Sequence, residues 1–236
     1  MPTERSCSAW LLDDDVPSVA LPTVAALSLA LAGPPMLVVA SHRVFGDTPP
    51  PGAQVVLQLV FCGLAVAVVC IVLWLERLPL SSIGVRRPTG VTVASGLAVA
   101  AATLYVLPLL TRPLIGALHV RGLDARTAAL AALPAWFRLF IGVTSGAVEE
   151  TLYRGYAIER LATMCGSRWI GAAAAATAFG LAHVPYWGVR FSLAADLPFG
   201  IVMTIFYLWR RDLVANAIAH STGLVVSLLS LRGAAA

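Results

Sequence analysis

Long apolar runs separated by short polar stretches dominate the chain, and their lengths predict seven membrane spans. Crossing the ~30 Å hydrocarbon core of a bilayer takes about 20 predominantly apolar residues in a helix. Such runs fall at 19–40, 53–75, 91–110, 133–153, 169–187, 191–209 and 213–231. The first contains Gly33-Pro34-Pro35, a pair of prolines expected to kink or break it. Residues 112–132 mix Arg112, His119, Arg121, Asp124 and Arg126 with alanines and predict an interfacial or extramembrane helix. Residues 155–168 predict an amphipathic continuation of the fourth span, and the run Ala172 to Ala176 in the fifth would let a neighbouring helix approach closely. The chain then divides into an N-terminal cytoplasmic segment (1–18), a first group of helices and loops (19–132), a helical core (133–231) and a short tail (232–236), with no soluble domain or internal repeat.

Composition supports this class. A soluble domain is about 45–50% apolar and about 25% charged. Here the values are 59% and 12%, with a mean hydropathy of +0.85, so the expected fold is an all-α polytopic transmembrane bundle. Every one of the sixteen basic residues is arginine, which reads as coding bias. A net charge of +4 carried in loops suits lipid head groups and not nucleic acid. Arg5, Arg77, Arg86, Arg87, Arg154, Arg160, Arg168, Arg210 and Arg211 fall on one side of the predicted topology, and Arg43, Arg112, Arg121, Arg126, Arg190 and Arg232 on the other. That bias favours a cytoplasmic N-terminus and turns the acidic residues discussed next towards the cytoplasm. Asp13, Asp14 and Asp15 stand where a signal peptide would carry basic residues, so the first apolar run is expected to be retained. Cys7, Cys62, Cys70 and Cys165 show neither CxxC nor Cys–His spacing and predict no disulfide framework and no cysteine-based zinc site.

The chemistry concentrates in three of the apolar runs. Glu149 and Glu150 end one of them, although an acid at a helix centre costs about 2.5–3.5 kcal/mol on insertion scales. Glu150 and Arg154 are four apart and can pair on one helix face, whereas Glu149 lies about 100° around and stays free. The plain alternative is an interfacial helix end whose charges reach water, with Arg154 snorkelling. His183 follows Phe179 by one turn, and His220 follows Asn216 by one turn. Singly, each histidine reads as a helix–helix hydrogen-bond partner. Together, a carboxylate and two imidazoles on three spans suit attack of water on an amide. The carboxylate would act as base, and the imidazoles as metal ligands or as oxyanion donors.

Glu149-Glu150-x-x-x-Arg154, then Phe179-x-x-x-His183, then His220 in the last span resemble the motif order of the CPBP intramembrane proteases, which include the Rce1-like CAAX-processing and Abi enzymes. The resemblance makes 133–231 the protease core and implies catalytic roles for Glu149, His183 and His220, with Glu150, Arg154, Phe179 and Asn216 in support. Zinc or another divalent metal on Glu149, His183 and His220 and a metal-free glutamate mechanism both remain open. The implied substrate is a membrane-anchored or lipidated protein or peptide, the partners are membrane lipids, and the location is a bacterial plasma membrane. One departure stands out. The family's last motif carries Asn or Asp four residues after the histidine, and this chain has Leu224 there. An absent oxyanion donor can lower a rate by about 10²–10³. That makes a non-catalytic member, acting as a membrane binding or immunity protein, the alternative.

Overall fold

The computed structural model describes residues 20–46 and 49–231, and among these residues eight helices of nine residues or more carry the chain. They are α1 (Leu21–Phe45), α2 (Pro51–Leu75), α3 (Gly90–Ala117), α4 (Leu123–Ala131), α5 (Ala135–Cys165), α6 (Arg168–Ala182), α7 (Val189–Arg210) and α8 (Leu213–Ser230). No strand forms among the described residues. The expectations for 1–18 and for the tail at 232–236 lie outside the described residues.

Five of these helices (α1, α2, α3, α7 and α8) are long and apolar enough to cross a membrane. A sixth span results if α4 and α5, bent by 113° to one another, are taken as one. Seven were predicted, and the difference lies mainly in the fifth run. There α6 has 15 residues and a length of about 22 Å, short of the ~30 Å core. The Pro34-Pro35 pair does not break α1, which runs through both. The third run continues through Pro113 to Ala117, seven residues beyond its predicted end. Membrane helices tolerate such prolines because neighbouring helices and local π adjustments satisfy the freed carbonyls. A π-helical stretch, Ala102–Val106, lies inside α3. Starts are set by ordinary caps: Thr89, Ser167 and Asp212 accept hydrogen bonds from the backbone N–H groups of Thr92, Ile170 and Ala215.

The outside of the bundle is apolar. Trp74, Trp169 and Trp209 are each more than 70% exposed. They sit at the end of α2, the start of α6 and the end of α7, which all lie at one end of the bundle. Tryptophans so placed form a girdle at a membrane–water interface. Trp136, at the start of α5, is exposed at the opposite end.

The tryptophan-ringed end is tied together by charge. Glu76 accepts hydrogen bonds from Thr23 Oγ1 (2.8 Å), Tyr156 OH (2.7 Å) and Arg160 Nε and Nη2 (2.9 and 2.7 Å), joining α1, α2 and α5. Glu159 accepts from Tyr207 OH at 2.9 Å and pairs with Arg211, joining α5 to the end of α7. Asp212 accepts from Thr92 Oγ1 at 2.8 Å, joining α3 to α8. At the other end Arg138 Nη1 donates to the carbonyls of Leu228 (3.0 Å) and Leu231 (2.9 Å), closing the C-terminus of α8. Cys62 and Cys70 are free thiols within α2. Cys165 is disulfide-bonded, a pairing for which the cysteine spacing held no signal.

Burial alone would raise the Glu76 carboxyl, but Arg160, Tyr156 and Thr23 outweigh it and hold it below its ordinary value of 4.5. A depressed acid contributes stability that is complete above its unfolded pKa and is lost as pH falls through the folded one. The detergent-solubilised protein should therefore lose thermal stability below about pH 4.5. Glu76→Gln should remove that part of the acid dependence and lower stability at neutral pH by ~3 kcal/mol, because Arg160 is left unpaired. Thermal melts of both proteins from pH 3 to 7 check this.

Candidate active site

The site forms where α5 departs from α-helical geometry. A π-helical stretch, Glu150–Ile158, starts at the second glutamate, and such bulges recur at functional sites. Glu150 and Arg154 are both fully buried. Arg154 Nη1 donates to Glu150 Oε1 at 3.0 Å, His220 Nδ1 donates to the same oxygen at 2.8 Å, and Asn216 Nδ2 donates to Oε2 at 3.1 Å. A buried carboxylate needs this degree of satisfaction to stay ionised away from water. Arg154 also donates to the Gly200 carbonyl at 3.1 Å and stacks 4.1 Å over the Phe179 ring. Gly200 is required there, since a Cβ would stand 2.8 Å from Phe179 Cδ1.

Glu149 occupies the neighbouring position with its side chain 14% exposed and faces two imidazoles. His183 caps α6, and its Nδ1–H donates to the Phe179 carbonyl at 2.8 Å. His220 spends its Nδ1–H on Glu150. Each bond fixes a tautomer and aims Nε2 at Glu149. The distances from Glu149 Oε2 are 3.9 Å to His183 Nε2 and 3.7 Å to His220 Nε2. Phe179 holds both rings, with centroids 4.5 Å from His183 and 6.2 Å from His220.

These groups border a cavity of about 270 Å³ whose lining includes Glu149, His183, His220, Phe199 and Leu224. Of the residues singled out from sequence, Glu149, Phe179, His183 and His220 line it. Glu150, Arg154 and Asn216 lie behind them. Asn216 Nδ2 is committed to Glu150 and to the Met203 carbonyl, so it does not point into the cavity as a substitute for the group missing at Leu224. Sequence reasoning passed over Asp196 and Tyr153. Asp196 also lines the cavity, and an acid within an apolar run was itself the signal. Tyr153 is one turn beyond Glu149, and its buried hydroxyl has no hydrogen-bond partner.

The cavity lies away from the loops that carry Arg77, Arg86, Arg87, Arg210 and Arg211, with Phe179 and His183 at the far end of α6 and His220, Gly223, Leu224 and Ser227 in the far half of α8 on its wall. Trp187 and Phe191 also line an adjoining cleft with His119, Arg121 and Arg190, at the end opposite the Glu76 cluster. The reason is the direction of α6, which starts at the tryptophan-ringed end and delivers His183 only at its far terminus. A zinc ion would need three donors at about 2.0–2.2 Å from a single point. Among the described residues no group of three or more His, Cys, Asp or Glu is arranged to hold a metal, so Glu149, His183 and His220 do not fit the ion as they stand.

The fold and site define a helical bundle of the polytopic membrane type with a glutamate–histidine cluster at a cavity between its helices. Residues 131–224 match a family model described as Type II CAAX prenyl endopeptidase Rce1-like. The matched stretch runs from the end of α4 to Leu224 and contains every polar residue of the cluster. No curated protein and no solved structure matches the chain.

Close contact between α5 and α8 sets the geometry of the cluster. A Cβ at Gly146 would stand 2.6 Å from the Ser221 backbone nitrogen, so the two backbones touch right beside His220 and one turn before Glu149. Gly146→Ala should force α8 outward, cost about 1–3 kcal/mol and separate His220 from Glu150. Lower thermal stability, with the His220 imidazole no longer held in NMR spectra, would register it. Unchanged values would refute the tight contact.

Proposed function

We propose that the protein is an intramembrane endopeptidase that cleaves a peptide bond in a membrane-anchored or lipidated protein or peptide with water activated by Glu149. The observation supporting this reading is the convergence of both imidazole Nε2 atoms on the Glu149 carboxylate at the cavity wall, while Glu150 is held by its three donors. Gaps of 3.7 and 3.9 Å are too wide for direct hydrogen bonds and leave a water its acceptors. Water donates one proton to Glu149 and the other hydrogen bond to His183. The nascent hydroxide attacks the carbonyl carbon, and the carbonyl oxygen takes the negative charge. Collapse of this intermediate breaks the C–N bond, and the nitrogen leaves with the proton that Glu149 took. His220 is held by Glu150 at its Nδ1; a proton taken from solvent at its Nε2 before the substrate enters, and kept there through the turnover, lets it donate a hydrogen bond to the oxyanion.

General-base catalysis contributes about 10²–10⁴-fold, so Glu149→Gln should lower cleavage by that factor. Protein termini in membranes from cells expressing wild type and Glu149→Gln at matched levels read this directly. New termini seen only with wild type are expected. Leu224 on the cavity wall favours the second reading, a non-catalytic binding or immunity protein. Identical termini with an intact cellular phenotype in the mutant would select it.

The proposed cytoplasmic N-terminus puts the cavity mouth on the opposite, non-cytoplasmic side. In a chain stripped of its native cysteines, Arg121→Cys should react with an impermeant maleimide in intact cells and Arg87→Cys should not. The reverse pattern would place the mouth in the cytoplasm.

A further inference from the structure

Asp196 is the one acid within α7, and the hydrolytic steps make no use of it. It ends a π-helical stretch, Ser192–Asp196, and lines the cavity that Glu149, His183 and His220 border. Its Oδ2 is buried without a hydrogen-bond partner. The charged or titratable groups acting on it are His183 and Glu149, and no arginine pairs with it among the described residues. Glu150 is neutralised from behind by Arg154, so the cavity presents two carboxylates that have no fixed cation. Its other walls include the rings of Phe179, Trp187, Phe191 and Phe199. Leaving one oxygen of a buried carboxylate without a donor is costly, and a charged donor entering the cavity relieves it. Aromatic faces favour a cation over an anion.

We propose that Asp196 is a substrate-recognition residue that accepts a hydrogen bond from an ammonium or guanidinium group, the side chain of a lysine or arginine close to the bond being cut. The proposal rests on the peptidase reading for the identity of the ligand as a peptide. The preference is a matter of binding and can be measured without cleavage.

The test uses the full chain carrying Glu149→Gln, in nanodiscs of zwitterionic lipid so that head groups do not attract the probe. In that background Asp196 is the remaining unpaired carboxylate in the cavity. The probes are dye-labelled apolar peptides, identical except for lysine or norleucine placed at each position in turn, with binding read by fluorescence anisotropy. At one position lysine should bind about tenfold more tightly than norleucine. Adding Asp196→Asn should bring that ratio close to one, and Asp196→Glu, which keeps the charge, should restore part of it. A ratio that survives Asp196→Asn overturns the proposal. A ratio near one at every position, or failure of every lysine peptide to bind, overturns it too. It would mean that Asp196 is satisfied from within the chain by Ser192, one turn back, whose Oγ also lacks a partner. Failure of the peptidase reading shows separately, as identical termini with and without Glu149.

Discussion

A charge held inside an apolar bundle must be answered by other charges or donors, and Glu150 is where this protein meets that demand. Its carboxylate takes hydrogen bonds from α5 itself and from two residues of α8. Arg154, the first of those donors, reaches on to the backbone of α7 at Gly200 and to the Phe179 ring of α6. Four helices thereby share one ion pair. Breaking a buried pair by removing one partner costs about 3–5 kcal/mol, far more than the pair itself contributes over an apolar substitute. The arrangement is therefore better understood as setting position than as supplying stability. Glu150 orients His220, Arg154 supports the ring that contacts His183, and Glu149 is left at the cavity wall with two imidazoles aimed at it.

The two ends of the bundle are built differently. At one, Glu76, Glu159 and Asp212 join helices through short charge-assisted bonds inside a ring of tryptophans. At the other, the chain turns through α4 and the short helix Val184–Trp187, and the cavity adjoins a cleft lined by His119, Arg121 and Arg190. The charge-assisted bonds thus gather at one end of the bundle, while the cavity and its adjoining cleft lie towards the other. Small residues complete this. Contact at Gly146 and Gly200 brings backbone and rings closer than any side chain would permit, which is how helices associate when no hydrophobic force separates lipid from protein.

Much of this was legible in the residues alone. Apolar run lengths identified an all-α membrane protein, because in hydrocarbon a helix is the local way to satisfy the backbone. The spacing of Glu150 and Arg154 foretold their pairing, since residues four apart share a face whatever surrounds them. Run length misjudged α6, where a continuous apolar stretch folds into a helix of 15 residues followed by a turn. Of the kink or break expected at Pro34-Pro35, the break does not occur in α1, because the effect of proline depends on what neighbouring helices offer the freed carbonyls.

Sequence by itself determined which side chains carry charge within the membrane and which of them can meet along one helix. Only the tertiary structure decided which meet across helices. It committed Asn216 to Glu150, set Asp196 beside His183 and Glu149, and turned the cavity away from the arginine-rich end. The physical reason is one of range. Helical periodicity is a property of neighbours in the chain, whereas hydrogen bonds between α5 and α8 span 66 to 70 residues of sequence and depend on how closely glycine lets the two backbones approach.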